Sequence, residues 1–184
     1  MRKDFKANSW LYPQPVLIIG TYDKNDIPNA MNAAWGAMYD YSKVIIALAP
    51  HKTTENLLVH KAFTLSFATK ETIAASDYVG VVSGKKVPNK VEKAGLTPIK
   101  AGKVHAPLFA EYPLTLECEV EKYDDETGYL VGKIVNVSVD ESIIKDGKVD
   151  TDKINAVVFD PIKLKYRLVG EIVADAFQVG MSLK

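Results

Sequence analysis

The chain has 184 residues, enough to bury one good core and, by length, to form a single domain. Its 23 basic and 23 acidic residues cancel, which argues against nucleic acid as the main partner and against a polybasic membrane-binding surface, while leaving self-association open. A lone cysteine, Cys118, permits no internal disulfide, and no apolar run approaches the length that spans a bilayer, so the expected setting is the cytoplasm.

In chain order, the first expected strand is Val16–Tyr22, followed by the turn Asp23-Lys24-Asn25-Asp26 and a lean run, Asn29-Ala30-Met31-Asn32-Ala33-Ala34-Trp35-Gly36. Strands are expected next at Val44–Leu48 and Phe63–Ala68, with a short helix at Thr54–His60 between them. Thr72–Val81 and Lys90–Ala94 read as two further short helices, the second closed by Gly95. Leu114 to Glu121 alternates apolar and polar residues without a break, Asp124 to Gly128 supplies a turn, and Tyr129–Asp140 returns as its hairpin partner. In that partner Val135, Val137 and Val139 are expected on one face, Asn136 and Ser138 on the other. Asp146-Gly147 is a strong turn, Thr151 can cap a brief helix at Asp152–Ile154, and strands follow at Asn155–Phe159 and Leu164–Leu168. The pattern is mainly β with short helices, an antiparallel barrel with helical insertions; no strand–helix alternation or G-x-G-x-x-G supports a dinucleotide fold.

Four features bear on chemistry. The run from Asn29 to Gly36 is small residues and amides with one aromatic; it suits either close backbone packing or a ledge for a flat ligand. Lys52-Thr53-Thr54 at a helix start combines free amides, hydroxyls and a cation, the parts of an anion seat, although a Thr capping its own helix explains the same residues. Ser83 to Lys90 is a basic loop that can close over an anion or simply face water. No metal centre is expected, because His51, His60 and His105 lie far apart and no pair has ligand spacing. Cys118 sits on the apolar face of its strand, and Glu117, Glu119 and Glu121 read as a solvated face. No catalytic side chain stands out, as expected where a bound cofactor does the chemistry.

Taken in order, Tyr12-Pro13-Gln14-Pro15-Val16, Gly20-Thr21-Tyr22-Asp23, Pro28 to Gly36, Lys52-Thr53-Thr54-Glu55-Asn56, Ala62-Phe63-Thr64, Asp77-Tyr78, Ser83-Gly84-Lys85, Ala106-Pro107, Glu111-Tyr112-Pro113-Leu114 and Leu116-Glu117-Cys118 resemble the flavin reductase-like family, and within it the flavoredoxin type. The resemblance runs from about Leu11 to Gly180 and implies an FMN-binding split β-barrel that forms a homodimer. It implies that the isoalloxazine lies along Asn32, Ala33, Ala34 and Trp35, and that Lys52, Thr53 and Thr54 hold the phosphate. Ser66 and Phe67 would line the ribityl or ring side, with Ser83, Lys85 and Lys90 contributed by the loop. Many relatives carry Thr where this chain has Asn32, a residue that both donates and accepts. The activity implied is hydride acceptance from a transient NAD(P)H and electron delivery to flavin, a ferric complex or a partner protein. An FMN-binding electron carrier without NAD(P)H turnover is the alternative.

Overall fold

The run from Val16 to Ile19 is continuously apolar because both faces of its strand are covered: Leu17 and Ile19 point into one core, and Ile18 into another. In the computed structural model, which describes residues 1–183, that strand is β1 (Leu17–Tyr22) of a seven-stranded antiparallel sheet. The others are β2 (Pro28–Ala33), β3 (Gly36–Asp40), β4 (Lys43–Ala47), β5 (Ala62–Phe67), β6 (Leu114–Asp124) and β7 (Tyr129–Val139). Their order across the sheet is β2-β1-β5-β6-β7-β4-β3. The two edges, β2 and β3, are therefore consecutive in the chain and joined only by Ala34-Trp35. The sheet curls until its edges approach without pairing, which is a split barrel.

Curling needs local relief. Gly132 in β7 lies against the Phe63 ring, where any Cβ would overlap ring atoms, and β7 slips register against β6 at Val131/Gly132 and at Ile134/Asn136. The enclosed core gathers Leu17, Ile19, Val44, Ile46, Phe63 and Leu130. A second core, around Ile18, Val79, Val91 and Phe109, packs α2 (Ile73–Val81) and α3 (Lys90–Lys93) on the outer face of β1 and β2. The helix α1 (Lys52–His60) inserts Leu57 into the barrel core. Among the described residues no helix is long and apolar enough to cross a membrane.

The expected strands and helices all form, with ends displaced by a few residues. Asp146 and Gly147 both take left-handed φ, 51° and 75°, and join a two-residue ribbon. The brief helix near Thr151 is a 3₁₀ turn over Thr151–Ile154, and its cap is Asp150, which accepts from the Asp152 amide, instead of Thr151.

Two expectations on the β6–β7 hairpin are corrected. Glu117 is not on a solvated face: it is 1% exposed, and its carboxylate accepts from the amides of Gly102 (3.3 Å) and Lys103 (2.6 Å) and from Asn136 Nδ2 (2.8 Å). The segment 98–109, a hairpin of Pro98–Lys100 with Pro107–Phe109, folds back over the first half of β6 and covers the polar face there. Glu119 and Glu121 beyond it stay exposed. Val137 is exposed, whereas Val135 packs on Ala62, Val104 and Ala106; the bulge before Asn136 breaks the simple alternation and brings Asn136 to Glu117.

Glu117→Gln replaces an acceptor oxygen with an NH₂ that faces backbone donors. It is expected to lower stability by about 1–3 kcal/mol, measured by urea denaturation, with little change in m-value.

Candidate functional site

The first turn of α1 is organised by Thr54. Its hydroxyl accepts from the His51 amide (2.9 Å) and donates to the His51 carbonyl (2.8 Å), closing the helix start. Thr53 is buried, and Asn29 of β2 donates from Nδ2 to its Oγ1 at 2.9 Å, which ties the strand to the helix N-terminus. Between these elements and the end of α2 lies a polar cavity of about 240 Å³, walled by Asn29, Asn32, Lys52, Thr53, Gly84 and Lys90 among others. Gly84 approaches closely there: a Cβ would lie 2.6 Å from Asn29 Oδ1, so any larger residue would displace the Asn29 side chain.

The cavity is electropositive. Lys90 is buried, and its ammonium donates to the carbonyls of Val79 (2.9 Å) and Val82 (3.0 Å) at the C-terminal end of α2. Burial, and then the charge of Lys52, push the Lys90 ammonium down to about 8. Lys52 pairs with Asp23 at 3.1 Å, and that carboxyl is held below the usual range by the Asn25 and Ile27 amides and by Lys52, against a desolvation that acts the other way. Two cations, the α1 N-terminus and buried hydroxyl and amide groups thus share one small cavity, a donor set of the kind that suits an anion.

A second, apolar groove has a volume of about 660 Å³. Its walls include Gln14, Ala34, Trp35, Ala37, Ala47 and Tyr129. Gln14 is 7% exposed, and its Oε1 is the one buried side-chain polar atom without a hydrogen-bond partner among the described residues. One stretch of chain, Asn29 to Ala37, thus contributes to both, Asn29, Met31 and Asn32 to the polar cavity and Ala34 to Ala37 to the apolar groove.

The structure brings Asn32, Lys52, Thr53, Ser83 and Lys90 together on the cavity, and Ala34 and Trp35 onto the groove. Asn32 turns toward α2, donating from Nδ2 to the Ser76 carbonyl at 3.1 Å. Ala33 packs on the barrel core. Thr54 is committed to the helix start. Ser66 is buried against the Thr115 hydroxyl at 2.8 Å, Phe67 packs on the barrel core, and Lys85 pairs with Glu55 at 2.5 Å on the surface. Sequence reasoning did not single out Asn29 as a site residue, nor Gln14, Gly80 or Gly84. Gly80, shortly before the basic loop, and Gly84 within it are a signal that was present in the chain. The histidines do not stay apart: His60 and His105 meet beside Asp26, whereas His51 lines the polar cavity.

Comparison with known proteins matches residues 9–153 to the flavin reductase like domain. The chain is similar to an uncharacterised protein of Archaeoglobus fulgidus, 33% identical over 148 residues that cover 77% of this chain and 80% of that one. Among solved structures it resembles flavoredoxin of Desulfovibrio vulgaris (Miyazaki F), 33% identical with a TM-score of 0.92, covering 98% of this chain and 100% of that one. Flavoredoxin from Methanosarcina acetivorans is 25% identical with a TM-score of 0.88 and full coverage of both chains. With its split barrel and a family match over most of its length, the chain belongs to the flavin reductase-like family.

Proposed function

We propose that this protein binds FMN and works as an oxidoreductase that draws electrons from NAD(P)H. The observation that carries this reading is the run from Asn29 to Ala37, which lines in succession a polar cavity flanked by two lysines and an apolar groove. The residues present fit the cofactor. Lys52, Lys90, Thr53 and the α1 amides would hold the phosphate, Ala34 and Trp35 would bound the ring, and the orphaned Gln14 oxygen offers an acceptor to an imide N–H. When bound, FMN supplies the redox chemistry, accepting hydride from the nicotinamide and passing electrons to flavin, a ferric complex or a partner protein. The chain's part is to bind, orient and tune the cofactor.

A homodimer is part of the proposal. Trp35, Met38 and Tyr39, 57–60% exposed, form an apolar edge beside the groove that a second copy would cover. The kinship to proteins named flavoredoxin also supports the second reading, an electron carrier with no NAD(P)H turnover of its own. The visible spectrum of the purified protein, followed by anaerobic addition of NADH or NADPH, separates these readings. Flavin absorbance that bleaches rapidly supports the oxidoreductase; absorbance that persists supports the carrier. A protein that FMN cannot reconstitute overturns both.

Two predictions follow the electrostatics. Lys52→Ala is expected to weaken FMN binding about tenfold or more while changing hydride transfer in the saturated protein far less, read by equilibrium titration and stopped-flow absorbance. Lys90 holds its proton less tightly in the folded chain than in the unfolded one, where lysine titrates near ~10.4. The unfolded state therefore binds more protons between pH about 8 and 10, and the cofactor-free protein gains stability from this group as pH rises through that window. A phosphate dianion beside Lys90 favours its charged form, so FMN binding takes up protons above pH about 8 and affinity falls toward pH 10. Calorimetry of FMN binding in buffers of different ionisation enthalpy reads the uptake. Riboflavin, which lacks the phosphate, is expected to show none of it.

A further inference from the structure

We propose that Asp26, His60 and His105 form a divalent-metal site of the zinc class, on the outer side of the β1–β2 turn. His105 Nε2 lies 2.8 Å and His60 Nε2 3.9 Å from the same oxygen, Asp26 Oδ1. A fourth potential ligand is the Asp23 carbonyl oxygen, 2.9 Å from His60 Nε2. Zinc bonds of 2.0–2.1 Å in tetrahedral geometry place ligand atoms roughly 3.3–3.4 Å apart; the two separations to Asp26 Oδ1 fall on either side of that edge, and the three side-chain ligand atoms all lie within 4.8 Å of one another. Two imidazoles, a carboxylate and a carbonyl suit zinc or its neighbours better than magnesium or calcium, which prefer an all-oxygen shell.

The three side chains come from separate parts of the chain: the β1–β2 turn, the last residue of α1, and the segment 101–106 that folds over β6. Placing them together takes backbone commitment, since Asp26 holds a left-handed φ of 59°. The C-terminal end of α1 favours a cation, and Asp26 adds a full negative charge. The His60 and His105 rings meet at a centroid distance of 4.6 Å, with the Tyr22 ring 5.2 Å from His105 on the other side. Without an ion, His60 Nε2–H donates to the Asp23 carbonyl; on binding, the imidazole carries its proton on Nδ1 and Nε2 becomes a ligand. Asp23 also holds Lys52 at 3.1 Å, so an ion here would brace the turn that orients a wall of the polar cavity.

The test uses untagged, chelator-stripped protein titrated with ZnCl₂ against a chromophoric chelator, and with CoCl₂ for the d–d spectrum. Neither readout depends on flavin, so the result stands apart from the FMN assignment. The expected result is one zinc per chain with micromolar or tighter affinity and a four-coordinate cobalt spectrum. His105→Ala and His60→Gln are each expected to weaken zinc at least tenfold, and His51→Ala, at the third histidine, to leave it unchanged. Zinc at about a hundredfold excess over its Kd is expected to raise Tm by roughly 5–10 °C in the wild type and not in His105→Ala. Substoichiometric binding, or binding that His105→Ala leaves intact in a folded protein, overturns the site.

Discussion

The dipeptide Ala34-Trp35 is the constraint on which the rest depends. It joins the two edges of a curled sheet whose order places β2 and β3 at opposite ends. A two-residue link allows the edges only a short separation, so the sheet must curl almost to closure. Closure in turn demands Gly132 against Phe63 and the two register slips in β7, because a straight, fully substituted strand would not bend there. The link stays open as a seam, and the Trp35 carbonyl, which accepts from the Ala47 amide at 2.8 Å, extends the β3–β4 ladder by one rung on one side of it.

The chain through that seam borders a polar surface before it and an apolar one after it. On one side, α1 and the end of α2 aim amides and lysines at Asn29 and Asn32; on the other, Ala34, Ala37 and Ala47 leave an apolar trough. The cationic side carries an energetic cost. Burying Lys90 near Lys52 disfavours its charge, and the carbonyls of Val79 and Val82 offset part of that cost.

Much of this was legible in the chain. Alternation in Leu114–Glu121 announced the hairpin, Gly95 and Asp146-Gly147 marked their turns, and Lys52-Thr53-Thr54 marked a helix start, which faces the polar cavity. Legibility failed where long-range packing overrode local pattern. Glu117 carries the signature of a solvated strand face and is buried, because segment 98–109 brings its own amides to satisfy the carboxylate. Thr54 and Thr53 are alike in sequence; only the capping geometry commits one to the helix and leaves the other on the cavity.

The sequence by itself determined the strand and helix content, the family resemblance and the lean run at the seam, since these rest on local periodicity and ordered motifs. Tertiary structure alone decided which residues share a site. His60 and His105 are remote in the chain and neighbours in space; Gln14 and Trp35 share a groove that no spacing rule predicts. The physical reason is the same in each case. Secondary structure is set by interactions over a few residues, whereas a site is assembled by sheet order and by segments folding over one another, which local pattern does not encode.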